Sequence, residues 1–387
     1  MKIFVIPTSY PNEYNAVANI FVYEQVKALA KLGHEIVVLN VIKHGSKDIF
    51  KRIPKSVKII KEQYCTRYAV ECKTFLENHF SKYNCDVFCE KIMQLYEIAV
   101  KDCGKPDILY AHFSLYAGYA ATKLKEKYNL PLVTLEHNGA LMQKKLNSRL
   151  QLYLEDTLKK SDKFFAVSTG LKRAITSLFN KDYNIDVIPN MLDDSFIFFP
   201  PIKKPEFTFF SCGRLVKGKR FSLLIKAFCT AFKQEDKVKL IIGGDGEERK
   251  DMAKLIQSNR REEQIILLGR LSREETVQAY INSDCFVLPS KSETFGLVYR
   301  EAMAVGRPII TTDHGGFDRA CWDDNDGIII DVDDYDALVQ ALIYVKENIK
   351  EFDLQRISNS CLEKYSSEKI AKMIAEIFGE VVTSGKN

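Results

Sequence analysis

The sequence predicts an α/β protein made of two doubly wound, parallel sheets, and three observations predict it. Short apolar runs alternate with helix-period segments from one end of the chain to the other, as parallel strands joined by crossover helices require. The alternation breaks once, between Phe196 and Pro205, where three prolines suit neither a helix interior nor a central strand. The 387 residues exceed one ordinary core and fit two domains of about 150 to 200 residues.

In the first half the predicted strands are Lys2 to Pro7, Glu35 to Asn40, Ile108 to Ala111, Leu132 to Leu135, Lys163 to Val167 and Ile185 to Ile188. Each is a short β-branched or aromatic run, and most are followed by turn residues or a helical stretch. The first strand runs into a flexible loop, Tyr10 to Asn15, and then a helix from Phe21 to Leu32. Residues 65 to 103 read as one long helical excursion from this winding. The first domain is set at 1–197 and the linker at 198–205. The alternation restarts in a second domain, 206–366, with strands at Phe207 to Cys212, Lys239 to Gly243, Ile265 to Leu268, Cys285 to Leu288, Pro308 to Thr311 and Gly327 to Ile330. The last helix, 367–383, has no strand after it and is expected to return to the first domain. Two such Rossmann-like domains are expected to face each other across a cleft.

Composition narrows the function classes. The chain is 46% hydrophobic and 28% charged, and no apolar run approaches the roughly 18 to 20 residues that cross a bilayer. Its start is too short and too soon polar for a signal peptide, so a cytoplasmic location is expected. The ten cysteines are expected as reduced thiols, and the cluster Cys65, Cys72, Cys85, Cys89 and Cys103 fits no zinc spacing. Residues 1 to 200 hold 28 Lys and Arg against 21 Asp and Glu, whereas the remainder holds 28 against 30. The basic half suits an anionic surface, such as the inner face of the plasma membrane or a lipid diphosphate. Aromatics are not interleaved with the basic residues as a nucleic-acid platform requires, so no nucleic acid is expected.

Three motifs carry the chemistry. Ser292 to Met303 spans a strand-to-helix turn and places the carboxylates of Glu293 and Glu301 eight residues apart. Open α/β sheets bind ligands at that end of their strands, and a carboxylate there can take two vicinal hydroxyls of a sugar. Gly213-Arg214-Leu215-Val216-Lys217-Gly218-Lys219 follows the first strand of the second domain and opens a helix from Phe221 to Phe232. Arg214 and Lys219 beside a helix amino end make a diphosphate site. Gly243-Gly244-Asp245-Gly246 closes the next strand, where glycines allow close backbone approach. Gly315-Gly316 reads as a second backbone nest. On the first domain, His112 and Glu136-His137-Asn138-Gly139 stand at carboxyl strand ends, and the Tyr10 to Asn15 loop is placed to meet an acceptor. Asp-x-Asp triplets at 324–326, 331–333 and 334–336 read as turns and helix caps, so no metal site is expected.

Together these blocks resemble glycosyltransferase family 4, retaining enzymes of the GT-B fold. The match covers nearly the whole chain and is most specific at Pro289-Ser290, the Glu293/Glu301 pair and Gly315-Gly316. The resemblance implies that Arg214 and Lys219 hold the donor diphosphate, Glu301 the ribose and Glu293 the transferred sugar. It also implies that Phe295, Gly296 and Leu297 offer backbone NH groups, and that His137 lies near the reacting hydroxyls. Two positions depart from the family: Asn19 stands for the usual glycine in the first loop, and Arg220 for the glycine common after the lysine.

The expectation is a hexosyltransferase that moves a sugar from a nucleoside diphosphate sugar, a UDP-sugar by preference, to a hydroxyl of a glycan or lipid-linked glycan in bacterial surface polysaccharide synthesis. The catalytic group is Arg214, Lys219, Glu293 and His137. The donor contacts are Gly213, Arg214, Lys219, Gly244, Asp245, Glu293, Phe295, Gly296, Leu297 and Glu301, and the acceptor contacts are Tyr10, Asn15, His112 and Asn138. No cofactor is expected, the nucleotide sugar being a substrate. The alternatives are a non-catalytic nucleotide-sugar-binding protein and an epimerase or phosphorylase of the same fold. No lysine here has a context that would mark it for the pyridoxal phosphate a phosphorylase needs.

Overall fold

A computed structural model describes residues 1–45, 52–54, 56–143, 146–179, 181, 183–317 and 322–384. The chain divides into two units, one formed by Met1–Met191 with Ser367–Asn387, the other by Leu192–Ser366.

The first unit contains an eight-stranded sheet. Its strands are β1 (Lys2–Pro7), β2 (Glu35–His44), β3 (Lys58–Lys61), β4 (Thr66–Lys73), β5 (Ile108–His112), β6 (Leu132–Glu136), β7 (Lys163–Ala166) and β8 (Ile185–Val187), in the order β3-β4-β2-β1-β5-β6-β7-β8. All pairs are parallel except β3 with β4. Ile3 to Ile6 and Ile108 to Ala111 are wholly buried, because helices cover both faces of a parallel sheet and its strands become continuous apolar runs.

The sequence reading of 65–103 as one helical excursion is corrected here. Thr66–Lys73 is a strand paired along its length with β2, and the helix spans Glu77–Cys103. The strand escapes notice because it buries two charged residues, Arg67 and Glu71, each answered by a partner: Glu62 for Arg67 at 2.6 Å, His44 for Glu71 at 2.7 Å. β3 alternates half-buried and exposed residues, the pattern of an edge strand.

The second unit holds β9 (Phe207–Cys212), β10 (Val238–Gly243), β11 (Ile265–Gly269), β12 (Cys285–Leu288), β13 (Ile309–Thr312) and β14 (Gly327–Ile330) in one parallel sheet, ordered β11-β10-β9-β12-β13-β14. Strand order therefore reverses between β9 and β12, the point where doubly wound sheets open a crevice for ligands. The chain enters this unit at Leu192, ahead of the proline-rich run at 198–205 taken as the linker from sequence. Leu192 and Phe196 are buried in the second core, and the Phe199 amide donates to the Val305 carbonyl at 3.3 Å.

The last helix, Ser367–Ser384, packs on the first unit. It buries Ile370, Ala371, Ile374, Phe378 and Val381 along one stripe, contacts the helix Ile20–Lys31 and sets Phe378 edge-on to Tyr110 at 5.0 Å. No helix among the described residues is long and apolar enough to cross a membrane.

Candidate active site

In the second unit, the loops after β9 and β12 meet at the reversal of strand order. The Lys291 amide donates to the Gly218 carbonyl at 2.8 Å, pinning the turn Lys217–Lys219 against the segment that carries Glu293. The Lys219 ammonium then bonds the Glu293 carboxylate at 2.5 Å. Burial opposes the charge on Glu293, but Lys219, His314 and hydrogen bonds from Lys219 and Ser290 outweigh it and hold the carboxyl below its usual range. The site thus keeps a carboxylate and an ammonium, both partly accessible, with side-chain exposures of 12% and 23%.

Glu301 lies one turn further on, in the helix Leu297–Ala304. Its carboxylate accepts from Arg273 at 2.7 Å and from the Tyr280 hydroxyl at 3.2 Å. Neither partner was apparent in the sequence, because Arg273 and Tyr280 belong to a different helix, Arg273–Ile281. Gly296 precedes the Glu301 helix with φ 75° and ψ 56°, and a Cβ there would stand 2.7 Å from the Tyr299 ring. Only glycine allows this tight entry.

Arg214 is exposed and has no side-chain partner among the described residues. Its loop is fixed by backbone bonds from Gly213 to the Gly243 carbonyl (3.1 Å) and from Leu215 to the Asp245 carbonyl (3.0 Å). Gly244 serves this loop-to-loop contact, since a Cβ there would lie 1.9 Å from the Gly213 carbonyl oxygen. Asp245 is exposed and accepts from the Gly246 amide at 2.9 Å. Arg220 points away to a two-contact pair with Asp333 (2.7 and 2.9 Å) and adds no free cation.

Two residues that the sequence reading missed hold this crevice together. Arg300 is buried and donates to the carbonyls of Phe295, Gly296 and Gly316, with its guanidinium between the rings of Phe295 and Phe317. His314 accepts from the Gly316 amide at 2.9 Å through Nδ1, stacks on Tyr299 and offers its backbone carbonyl to the Glu293 amide. Burial pushes its pKa down to about 4, so the ring is neutral. Their adjacency to Glu301 and to Gly315-Gly316 was the available signal. Of the Asp-x-Asp residues, Asp334 caps the helix Tyr335–Glu347 by accepting from Ala337 at 2.9 Å, as expected.

In the first unit, β1 and β5 flank the reversal, and the residues following β5 and β6 gather in the interior. His112 Nδ1 and His137 Nε2 are 3.1 Å apart. Burial lowers both pKa values, that of His112 to about 3, and His137 is lowered further by His112. His137 packs against Phe21 and Phe113. Glu136 anchors the loop, accepting from the amides of His137 and Asn138 at 2.7 Å and of Ser114 at 2.8 Å. Asn138 caps the short helix Gly139–Met142.

The sequence reading places Tyr10 and His112 among the acceptor contacts, but both side chains are out of solvent, 1% and 0% exposed. The Tyr10 ring packs beside Tyr23 with its hydroxyl toward Cys65, because the loop folds back on the sheet through paired bonds between Asn12 and Asn15. Asn15 itself is exposed. Asn19 adopts the left-handed conformation, φ 46° and ψ 47°, that its departure from glycine demands.

Two family models tile the chain: Glycosyltransferase Family 4 over residues 18–196 and Glycosyl transferases group 1 over residues 193–360. The chain belongs to the glycosyltransferases of the group 1 and family 4 type. It is 24% identical over 381 residues to alpha-monoglucosyldiacylglycerol synthase of Acholeplasma laidlawii, covering 92% of this chain and 91% of that one. It is 26% identical over 294 residues to N-acetyl-alpha-D-glucosaminyl L-malate synthase of Bacillus anthracis, covering 73% and 76%. Among solved structures, sucrose-phosphate synthase of Thermosynechococcus elongatus superposes with a TM-score of 0.80 at 16% identity over 99% of this chain and 100% of that one. Anabaena HepE in complex with UDP gives 0.73 at 16% identity, over 98% and 100%. The glycosyltransferase therefore has the GT-B fold.

Proposed function

We propose that this glycosyltransferase moves a hexose from a UDP-sugar to a hydroxyl of a glycolipid or surface-polysaccharide acceptor, with retention of anomeric configuration and without a metal ion. The observation that carries the reading is the meeting of Lys219 and Glu293 at the reversal of strand order in the second unit. Arg214, exposed beside it, and Lys219 supply positive charge where negative charge builds on the departing diphosphate. Glu301 takes the ribose hydroxyls, with Arg273 and Tyr280 fixing its carboxylate. Glu293, held ionised, accepts hydrogen bonds from hydroxyls of the transferred sugar. No side chain of the site is assigned as a covalent nucleophile, so the acceptor hydroxyl attacks from the leaving-group face and the departing phosphate oxygen takes its proton. His137, neutral, orients hydroxyls by hydrogen bonding rather than by charge. Named relatives support the substrate class: one is a glucosyldiacylglycerol synthase, another, from Escherichia coli, an O-antigen biosynthesis glycosyltransferase, and the Anabaena structure holds UDP. The basic first half supports contact with anionic lipid.

A donor panel tests the reading. UDP-, GDP- and ADP-sugars are assayed for thermal stabilisation with and without EDTA, and the product anomer is read by NMR. Stabilisation by the UDP series alone, indifferent to EDTA, and an α-linked product from an α-linked donor are expected. EDTA-sensitive turnover or an inverted product would overturn the corresponding part.

A further inference from the structure

The helix Leu297–Ala304 starts beside Glu293, in the segment that follows β12 at the reversal of strand order, and has no acidic residue in its first turn. Its fourth residue is Arg300, 3% exposed. A cation there is opposed by the positive end of the helix dipole and by the loss of water. It also lacks a counter-charge. No described carboxylate pairs with it, and the groups whose charge acts on it include Tyr365, Cys361 and Tyr299 but no Asp or Glu. A guanidinium nevertheless stays protonated in proteins.

Carbonyl oxygens and ring faces take the place of a carboxylate. One terminal nitrogen donates to the carbonyl of Phe295 and, at 3.3 Å, to that of Gly296, while the other donates to Gly316 at 2.9 Å. The guanidinium carbon lies 3.8 and 4.1 Å from the ring centres of Phe317 and Phe295. A trans peptide points its C=O and the N–H of the next residue in opposite directions, and no described peptide is cis. Holding the Phe295 and Gly296 carbonyls therefore turns the amides of Gly296 and Leu297 away from Arg300. Neither amide donates to another described residue, as is usual where a helix begins.

We propose that Arg300 is a positioning residue for the donor, which fixes the Gly296 and Leu297 amides toward the phosphate that bears the transferred sugar and supplies, from behind them, the charge that this phosphate answers. Bonding to the carbonyls polarises the same peptide units, so their N–H groups become better donors to an anion. Glu293, assigned to the transferred sugar, precedes Gly296 by three residues, which makes the phosphate next to that sugar the one these amides meet. Arg300 itself touches no ligand. The inference rests on the reading of this crevice as a nucleoside diphosphate site, and it adds to the accessible cations Arg214 and Lys219 a third that acts from the interior.

Calorimetric titration of the full chain with UDP and with UMP tests it, since UMP lacks the second phosphate. The parent is expected to favour UDP. Arg300→Met keeps an unbranched side chain without charge and is expected to lose about tenfold in UDP affinity while UMP affinity changes by less than about twofold. Arg300→Lys keeps a cation but not the fork that spans three carbonyls, and is expected to fall between that variant and the parent. An unchanged preference for UDP in Arg300→Met would overturn the proposal. So would an equal loss of both ligands in both variants, which marks Arg300 as structural alone. A parent that binds UDP no better than UMP contradicts the diphosphate reading instead.

Discussion

Both units gather polar groups at the carboxyl ends of the strands where their order reverses, and they treat them in opposite ways. In the second unit the groups remain charged: Lys219 with Glu293, Arg273 with Glu301, and Arg214 exposed. In the first, His112 and His137 are buried and held neutral, and the buried Glu136 has its carboxyl pushed up by desolvation while amides and Ser114 hold it down. A diphosphate that gains charge as it departs needs fixed, accessible cations. The acceptor hydroxyl of the proposed reaction needs only orientation, which a neutral ring can give. The difference predicts that substitutions at the charged groups of the second unit act on chemistry and donor affinity and those in the first on acceptor handling, while buried histidines of both units, His112 in the first and His314 in the second, set the pH dependence of folding.

Lys219→Ala breaks the contrast most sharply. It removes a cation from the departing diphosphate and leaves the partly accessible Glu293 carboxylate without its main partner, so turnover is expected to fall about 100- to 1,000-fold, read in a coupled UDP-release assay. Glu301→Ala is expected to weaken UDP-sugar binding about tenfold or more, visible as a raised donor KM. A turnover loss with unchanged donor KM would place Glu301 outside the ribose site. Gly244→Ala drives a Cβ into the Gly213 carbonyl and should cost about 2 kcal/mol or more, lowering Tm and UDP affinity together because the Arg214 loop moves with it.

The histidines give a pH signature. Their folded pKa values are depressed, so the unfolded chain binds more protons between those values and about 6.5. Stability from neutral burial is therefore complete above pH 6.5 and is lost as pH falls toward about 3 for His112 and about 4 for His314. Each contributes a slope of about 1.4 kcal/mol per pH unit in that window, and His314→Asn should flatten the fall of Tm between pH 6.5 and 4.5. The smallest effect expected is at Asp245: being exposed, its replacement by Asn should shift stability by about 0.5 kcal/mol or less.

The second unit was the more legible from sequence, since its strands are apolar runs and its site residues sit directly after them. Glu293, Lys219 and Glu301 lie where strand-end reasoning puts them. What stayed hidden were partners brought in by other elements: Arg273 and Tyr280 behind Glu301, and His314 behind Glu293. In the first unit, Thr66–Lys73 was misread because Arg67 and Glu71 break its apolar pattern, and their burial is sensible only beside Glu62 and His44. Tyr10 looked like an open loop residue because nothing local reveals that the loop folds back on the sheet. Pattern reports which face is apolar; it does not report which buried charge has found its counter-charge.

The most direct measurement is calorimetric titration of UDP into the parent and Lys219→Ala proteins at two salt concentrations in EDTA. Salt-sensitive binding in the parent that weakens at least about tenfold in the variant is the predicted result. Equal affinity in both would contradict the assignment of the β9 and β12 loop ends as the diphosphate site.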